Sequence, residues 1–266
     1  MTKSQQEYPT DLNDTEWLQI APYLPEASWT GAPRKHNWRT LLNAMFYVVK
    51  NGCVWRALPH DFPAWRTVYH YFRLFRLNGL WEQLNTAIRE AVRAKEGRAP
   101  QASAMIADSQ SAKSAEGGEN RGFDGGKKVS GRKRNLLVDT LGLVVLAKVT
   151  AANVQDVHAG KQLLSALVHR PKLLTHLEQI FADGGYRGEL VDWAQQNLQV
   201  VLEIVLKLEG QKGFQVLPKR WVIERTFAWL TRNRRLARDY ERRAESAEAF
   251  IYLAMIRLGL RRLARS

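Results

Sequence analysis

The sequence predicts an α/β protein in which a mixed β-sheet is flanked by helices and preceded by an all-helical N-terminal segment. Two observations support this fold class: residues 1–98 read as helical, and short apolar runs alternate with helical stretches from about residue 104 onwards. The amino-acid composition of the sequence changes at "KEGRAPQASA", residues 95–104, which indicates a domain boundary. We therefore predict a helical domain at 1–98, an α/β domain at 99–240 and a basic C-terminal helix at 241–266.

The N-terminal helices are predicted from capping residues and apolar spacing. Asp14 or Thr15 can cap a first helix in "DTEWLQIAPYL". The apolar residues of "NWRTLLNAMFYVVKNG" fall on one helical face, and this helix is expected to end at Gly52. In "PAWRTVYHYFRLFRLNGLWEQLNTAIREAV", Pro63 stands near a helix start and Gly79 divides the stretch into two helices.

The predicted helix from Trp65 to Leu77 mixes arginines with aromatic residues. Short helices joined by tight turns, with a basic aromatic helix among them, are typical of helix-turn-helix-like DNA-binding modules. Arg66 and Arg73 are therefore candidate DNA contacts. The alternative is an all-helical core whose arginines are simply solvated.

The α/β part is predicted as strand, hairpin, helix, strand, helix, strand, loop and helix. A first strand covers 104–109, and a hairpin in "RNLLVDTLGLVVLAKVTAA" turns at Leu141-Gly142. Helices are predicted in "DVHAGKQLLSALV" and "GELVDWAQQNL", and strands in "LEQIFAD" and "QVVLEIVLK". A flexible loop at 208–219 precedes a last helix from about Trp221. This order gives a mixed sheet flanked by helices.

The charge of the chain is strongly basic, with a net charge of +14. Such an excess indicates a polyanionic partner, most often nucleic acid and less often an anionic membrane surface. The last 48 residues hold 13 basic and five acidic residues, and a second basic cluster, "GGKKVSGRKR", occupies 125–134. A basic surface that is merely solvated is the alternative interpretation.

Several classes of protein are excluded by what the sequence lacks. A single cysteine, Cys53, excludes an internal disulfide and a cysteine-based zinc site. The N-terminus shows no signal-peptide core, and no apolar run approaches membrane-spanning length. We therefore expect a cytoplasmic protein that does not bind a membrane.

Three acidic residues stand out by their positions. Asp108 ends the first predicted strand, Asp183 ends the strand after the first crossover, and Glu224 lies in the first turn of the late helix. Carboxylates without His or Cys suit Mg²⁺ or Mn²⁺, and three can hold two ions roughly 3.5–4 Å apart. One ion would activate a water or a 3′-hydroxyl, and the other would stabilise the leaving oxygen of a phosphodiester.

Each of these acids also has a simpler interpretation. Asp108 can cap a strand end, Asp183 can begin an Asp-Gly turn, and Glu224 can favour a helix start through the helix dipole. Two further acids compete for a place in the site. Asp139 is expected to stabilise the hairpin turn, and Asp156 is placed to cap the helix that follows it. Spacing in the sequence does not separate these possibilities.

Nearly the whole chain resembles the bacterial insertion-sequence transposases of the DDE class, close to the insertion sequence 5 family. The N-terminal part carries the resemblance in "GAPRKHNWRTLLNAMFYVVKNGCVWRALPHDFPAWRTVYHYF" and "GLWEQL". The later part carries it in "IADSQSAK", "GRKRNLLVDTLGLVV", "ANVQDVHAG", "FADGGYRG" and "RWVIERTFAWLTRNRRLARDYE". Each motif is moderately specific, and five in the right order are strongly so.

The resemblance implies an RNase H-like fold with Asp108, Asp183 and Glu224 as the metal-binding triad. It implies Mg²⁺-dependent cleavage at the ends of an insertion sequence, with two ions and Mn²⁺ as a substitute, and then strand transfer into target DNA. The partners implied are double-stranded DNA, both transposon ends and target, and a second copy of the chain in a homodimer or larger assembly.

In related families the catalytic helix also carries a Tyr, an Arg four positions before the Glu and a basic residue seven positions after it. Arg220 fits the second of these places. Leu217 stands where the Tyr would be, and Thr231 stands where the basic residue would be, with Arg232 next to it. This departure puts in question the supporting contacts that an arginine and a basic residue make in related families. It does not affect the assignment of Glu224 to the triad.

The resemblance also gives roles to basic and small residues near the triad. Gly184 and Gly185 would let the DNA backbone and two ions approach Asp183, and Tyr186 or Trp229 could stack a displaced base. Packing in the apolar core is the more common use of a tryptophan such as Trp229. A basic helix face without a specific partner is the alternative for the arginines. The candidate phosphate ligands are Arg132, Lys133, Arg134, Arg220, Arg232 and Arg235.

Other functions would fit parts of this pattern. A catalytically silent relative that regulates by binding DNA should have lost one of the three acids, and all three are present. A nuclease of the same fold that cuts without joining would show the same residues. A basic RNA-binding protein is disfavoured because the sequence has no RNA-recognition signature.

Overall fold

The computed structural model describes residues 7–26, 34–115, 117–206 and 219–265. The loop predicted to be flexible at 208–219 lies outside these residues, except for Lys219. Within these ranges, no helix combines the length and the apolar character that crossing a membrane requires.

The N-terminal part is helical, as predicted. The cap of the first helix is Asn13, one residue before the predicted Asp14: its side chain accepts a hydrogen bond from the Glu16 amide at 2.8 Å, and Glu16 accepts one from the Asn13 amide at 3.1 Å. Gly52 ends the second helix in the left-handed conformation, with φ of 74°. The helices are α1 (Asp14–Ile20), α2 (Trp38–Asn51), α3 (Trp65–Leu77) and α4 (Leu80–Lys95).

A mixed sheet follows, and its central strand is longer than predicted. The strands are β1 (Ala104–Lys113), β2 (Gly122–Asp124), β3 (Val129–Asp139), β4 (Val144–Ala151), β5 (Gln179–Ala182) and β6 (Val201–Ile204). β3, β1, β5 and β6 lie side by side, and both β2 and β4 pair with β3. The pairs of β3 are antiparallel, whereas β1 pairs with β5 and β5 with β6 in parallel.

The predicted hairpin joins β3 to β4, and Asp139 stabilises its turn as expected. The Asp139 carboxylate accepts hydrogen bonds from the amides of Leu141 and Leu143, each at 2.9 Å. Arg93 of α4 forms an ion pair with the same carboxylate at 3.1 Å, and Asp139 is fully buried. The turn is therefore tied to the N-terminal helices by a buried charge pair.

Helices cover both faces of the sheet. The later helices are α5 (Asp156–Val168), α6 (Pro171–Leu174), α7 (Glu189–Leu198), α8 (Arg220–Thr231) and α9 (Ala244–Leu263). On one face, Leu163 of α5 and Leu190 of α7 share a buried cluster with Met105 of β1 and Ile180 of β5. The opposite face carries α8, α9 and the N-terminal helices.

The helical part and the sheet share one apolar core. Phe46 of α2, Ile106 of β1, Leu136 of β3 and Phe250 of α9 belong to a single buried cluster. α9 was expected as a separate basic helix at 241–266, yet most of it is buried between the sheet and the N-terminal helices. Its arginines are concentrated in its last turns, so the preceding turns can be apolar.

The strand order confirms the predicted fold class. Four strands that pair antiparallel, β1 to β4, are followed by a crossover helix and two strands that pair in parallel, with helices on both faces. This arrangement is RNase H-like. It places the middle of β1 and the end of β5 beside the start of α8. Two of the predicted acids, Asp108 and Asp183, lie there.

Candidate active site

Asp108 and Asp183 lie on neighbouring parallel strands. β1 and β5 pair from Ala104 with Gln179 to Ile106 with Phe181, and the same register continued by two residues sets Asp108 beside Asp183. Because adjacent strands are separated by about 4.8 Å, the two carboxylates share one edge of the site. The structure therefore brings these two predicted residues together.

The local settings of the two acids differ. Asp183 follows β5 and begins the short helical turn Gly184–Tyr186, where its side chain accepts a hydrogen bond from the Gly185 amide at 2.9 Å. Asp108 was expected to end its strand, but it lies in the middle of β1. The strand continues because residues 109–113 keep pairing with β3. Asp108 accepts a hydrogen bond from the Ser109 amide at 2.6 Å.

Arg220, the first residue of α8, faces both acids. Its Nη2 lies 3.9 Å from Asp108 Oδ2 and 3.7 Å from Asp183 Oδ2. These distances allow ion pairing but exceed the length of a hydrogen bond. Its Nε is buried and finds no hydrogen-bond partner in the part of the chain that the structure describes. The guanidinium is thus held near the pair by charge more than by directed bonds.

The electrostatics of the pair favour a positive charge. Burial, and then the negative charge of Asp183, raise the pKa of Asp108 to about 6 against the lowering effect of the Ser109 amide and Arg220. Asp108 is therefore partly protonated near neutral pH unless a cation compensates its charge. Perturbed pKa values of this kind are common at functional sites.

Glu224 is not brought into contact with the other two acids. It lies one helical turn after Arg220, on the exposed side of α8. Across the described ranges, no three acidic, His or Cys side chains are close enough to hold a metal ion together. The guanidinium of Arg220, and not the carboxylate of Glu224, contacts the aspartates.

Asp156 lies near the pair, and its expected role was wrong. It was expected to cap α5, but Gln155 occupies the cap position and Asp156 is the first helical residue. The Asp156 carboxylate instead accepts hydrogen bonds from Ser109 Oγ at 2.9 Å and Lys133 Nζ at 2.8 Å. The acid in "ANVQDVHAG" was the signal that could have identified this residue.

Gly185 separates two of these carboxylates. A methyl group at Gly185 would lie 3.1 Å from both Asp156 Oδ2 and Asp183 Oδ1, closer than most such contacts in proteins. Tyr186 beside it is fully buried, which does not fit the predicted stacking on a base. Burial, followed by the charges of Asp108, Asp156 and Asp183, raises the pKa of Tyr186 well above its usual value.

The basic residues of "GRKR" are buried, which corrects their predicted role as phosphate ligands. Arg132 forms an ion pair with Asp239 at 3.2 Å and donates to the Glu241 carbonyl at 2.8 Å. Arg134 donates to the Leu236 carbonyl at 2.7 Å, and both arginines are at most 1% exposed. They face inward because β3 is an interior strand, and they attach the segment after α8 to it.

Lys133 and Arg235 are also engaged inside the protein. Lys133 is 5% exposed and donates to Asp156, so it neutralises an acid of the site and does not face solvent. Arg235 forms an ion pair with Glu241 at 2.7 Å and donates to the Cys53 carbonyl at 3.2 Å. Four arginines of the predicted DNA-contacting set remain, and their contact with DNA stays a prediction. Arg220 lies beside the aspartates, and three are exposed: Arg66, Arg73 and Arg232.

Trp229 of α8 packs against arginines. The guanidinium groups of Arg225 and Arg262 each lie 4.6 Å from its ring. The ring also packs against the main apolar core. Packing, which the sequence also allowed, describes Trp229 better than stacking on a displaced base.

Comparison with known proteins places the chain in a family. Residues 99–258 match the family described as "Transposase DDE domain", and residues 12–85 match one described as "Putative transposase of IS4/5 family". No solved structure matches the chain.

A similar protein is the "Putative transposase for insertion sequence element IS402" of Burkholderia cepacia, 34% identical over 127 residues. That match covers 46% of this chain and 60% of the relative, so the chain spans less than two thirds of the relative's length. Because the first match covers more than half of its residues, the chain belongs to the family of insertion-sequence transposases with a DDE domain.

Proposed function

We propose that this protein cuts phosphodiesters at the ends of an insertion sequence and joins the freed 3′-hydroxyl ends to target DNA. The observation that carries this proposal is the pair formed by Asp108 and Asp183 on adjacent parallel strands, with the guanidinium of Arg220 near both. Family membership supports the same reaction class.

The residues of the pair fit a hard divalent cation. Both donors are carboxylate oxygens, which Mg²⁺ and Mn²⁺ prefer, and the pKa of Asp108 is raised first by burial and then by the negative charge of Asp183, both of which a bound cation would offset. Asp108 and Asp183 would hold the cation. Glu224, which lies away from the pair in this structure, is proposed as the third ligand from the family resemblance alone, and two ions remain the expected number. When bound, such ions supply an activated water or 3′-hydroxyl and stabilise the leaving oxygen.

The side chains around the pair then have distinct tasks. Arg220 would bind a phosphate oxygen of the substrate once its attraction to the aspartates is taken over by a cation. Lys133 holds the Asp156 carboxylate, and Asp156 holds the Ser109 hydroxyl on the strand residue next to Asp108. Gly185 keeps the space between Asp156 and Asp183 open.

The helical part is proposed to recognise the element ends. Arg66 and Arg73 are exposed on α3, together with Tyr69 and His70. The two family matches fall on either side of the predicted boundary near residue 98, which supports separate tasks for 1–98 and 99–240 despite the shared core. Since two element ends are cut and joined together, the proposal includes a homodimer or larger assembly on DNA.

A cleavage and strand-transfer assay tests the proposal. A labelled duplex carrying an element end is incubated with Mg²⁺ and either the wild-type protein or the Asp183→Asn variant. The matched control is Asp192→Asn, the same chemical change at an exposed position of α7. Binding to the duplex is measured for each variant in parallel.

The proposal expects cut and joined products from the wild type and the control, and none from Asp183→Asn, with binding retained throughout. Equal products from all three proteins would remove Asp183 from the site. Binding without any product, even by the wild type, would favour a DNA-binding regulator over a transposase.

A further inference from the structure

A basic pocket lies between α2, α8 and α9, away from the aspartate pair. It has a volume of about 400 Å³ and is lined by one lysine and five arginines: Lys50, Arg232, Arg257, Arg261, Arg262 and Arg265. Among the described residues, none with a carboxylate lines it. Buried arginines elsewhere, such as Arg132 and Arg235, form ion pairs with acidic side chains.

One arginine of the pocket is buried without full hydrogen bonding. Arg257 is 8% exposed, and its Nη2 donates to the Pro9 carbonyl at 3.1 Å. Its Nε is buried and has no hydrogen-bond partner in the described ranges. An arginine with an unused donor costs free energy, so the pocket favours a ligand that accepts hydrogen bonds and carries negative charge.

The cations of the pocket repel one another. Burial, and then the charge of Arg261, lowers the pKa of Arg257 to about 10. Lys50 is affected in the same direction, first by burial and then by Arg257, Arg261 and Arg232. Lys50 Nζ donates to the Arg232 carbonyl at 2.9 Å, so it cannot turn away from the arginines without losing that bond. The positive charges that line the pocket therefore repel one another, and a bound anion would reduce this repulsion.

We infer that this basic pocket binds the phosphate backbone of duplex DNA, in addition to the site at the aspartate pair. The ligand class is a phosphodiester, recognised by charge and by bidentate guanidinium hydrogen bonds, without reading of base sequence. This inference rests on the proposed function only in taking DNA as the substrate of the protein.

The position of the pocket along α8 relates it to the aspartate pair. Arg220 begins this helix beside Asp108 and Asp183, and Arg232 follows its last residue at the pocket. Twelve residues of α-helix span about 18 Å. Because successive phosphates on one strand advance by about 3.4 Å along the duplex axis, this distance corresponds to roughly five base pairs. One duplex can therefore contact both sites.

The arrangement favours a backbone over a small free anion. The exposed arginines, Arg232, Arg261 and Arg265, continue from the pocket onto the surface, where a second and third phosphate can be neutralised. A single inorganic phosphate is much smaller than the pocket and could pair with only some of its cationic groups at one time. Isolated inorganic phosphate is therefore expected to bind weakly.

Salt-dependent DNA binding tests the inference. The full chain is titrated onto a fluorescent 30-base-pair duplex of unrelated sequence in EDTA, at several salt concentrations from about 50 to 200 mM. The variant Arg261→Gln/Arg265→Gln removes two exposed charges of the pocket. The matched control, Arg98→Gln/Lys172→Gln, removes two exposed charges elsewhere. Inorganic phosphate is added as a separate competitor.

The inference expects the slope of log Kd against log salt to fall by about two in the pocket variant and to stay unchanged in the control. In a parallel titration in EDTA with a duplex that carries an element end, a flank of 10 base pairs beyond that end should give tighter binding than a flank of two, and this gain should vanish in the pocket variant. Equal slopes in variant and control would overturn it, and so would full displacement of the duplex by millimolar phosphate.

These outcomes are separate from those of the cleavage assay. Binding in EDTA does not require the reaction, so a changed slope with an inactive wild type would contradict only the proposed function. An unchanged slope in the pocket variant, together with cleavage that depends on Asp183, would contradict only the inference.

Discussion

The guanidinium of Arg220 lies 3.7 Å from the Asp183 carboxylate, the distance of an ion pair without a hydrogen bond. Its other partner, Asp108, is 3.9 Å away. One monovalent group thus offsets two carboxylates on neighbouring strands. A divalent cation would offset them more completely, so Arg220 and a cation are expected to compete for the pair.

The variant Arg220→Gln tests this competition. Removing the guanidinium should tighten binding of Mn²⁺ by roughly three- to tenfold, because the variant loses a positive charge that repels the cation. The effect is no larger because the site is partly exposed to solvent, which screens charges. The same variant should cleave DNA less well than the wild type, since it loses a proposed phosphate ligand. Calorimetry with Mn²⁺ and the cleavage assay provide the two readouts.

Arg238→Gln, an exposed arginine after α8, is the matched control for this change. It should alter neither the Mn²⁺ affinity nor the cleavage rate. Weaker Mn²⁺ binding by Arg220→Gln would show that the guanidinium supports the cation site and does not compete with it.

The raised pKa of Asp108 predicts a pH-dependent stability of the protein without metal. Its folded value is about 6, against an ordinary value of 3.8. A carboxyl whose pKa is raised on folding contributes stability that is fully present below the ordinary value and is lost as pH rises through the folded value. In a chelator, the free energy of unfolding should therefore fall between about pH 4 and 6 by on the order of 3 kcal/mol.

Asp108→Asn should remove the share of this dependence that Asp108 contributes, since an amide does not titrate; the raised pKa values of Asp11, Glu241 and Glu248 keep a remainder. Urea unfolding at a series of pH values, in EDTA, gives the measurement, with Asp192→Asn as the matched control that keeps the wild-type profile. A profile of Asp108→Asn that falls like the wild type would assign the titration to another group.

The contrast between Asp139 and Arg134 shows what the sequence can predict. The role of Asp139 depends on neighbours two and four positions away, at the amides of Leu141 and Leu143, so a local pattern was sufficient. Arg134 donates to the carbonyl of Leu236, far along the chain. Nothing near Arg134 in sequence indicates that partner, and its charge suggested a solvent-exposed phosphate ligand.

The same distinction applies to the site. The positions of Asp108 and Asp183 follow from strand order, because parallel neighbours bring similar positions together. The place of Glu224 depends on how α8 is rotated and how far it lies from β1, which periodicity does not determine. Asp156 was assigned to a cap because acids at helix starts usually serve there, and its partners, Ser109 and Lys133, come from two other strands.

Gly185 should tolerate a side chain poorly. A Cβ there would lie 3.1 Å from oxygens of Asp156 and Asp183, although the backbone conformation itself is open to other residues. Gly185→Ala should therefore displace the carboxylates and reduce cleavage by about tenfold or more, since small misplacements of reacting groups are costly. Stability should fall by roughly 1 kcal/mol.

Gly125→Ala is the matched control, because a Cβ at Gly125 meets nothing within 4 Å. Cleavage rates and thermal unfolding of both variants give the comparison. Wild-type cleavage by Gly185→Ala would mean that the carboxylates have room to move without loss of function.

The ion pair of Lys133 and Asp156 should couple β3 to α5. Lys133 is 5% exposed and lies 2.8 Å from the Asp156 carboxylate, which also accepts a hydrogen bond from Ser109. Removing Asp156 leaves the buried ammonium with only the more distant carboxylate of Asp124, at 4.0 Å, as a charge partner, which is more costly than removing both groups of the close pair. Because the Asp156 side chain is 28% exposed, solvent offsets part of that cost.

A double-mutant cycle with Asp156→Asn and Lys133→Met measures this coupling in urea unfolding. We expect Asp156→Asn to lower the free energy of unfolding by about 1–2 kcal/mol, and the double variant to be more stable than the sum of the two changes predicts. Additive effects would indicate that the pair contributes no interaction energy. In that case Lys133 would be stabilised mainly by the Val154 carbonyl, to which its Nζ also donates at 2.9 Å.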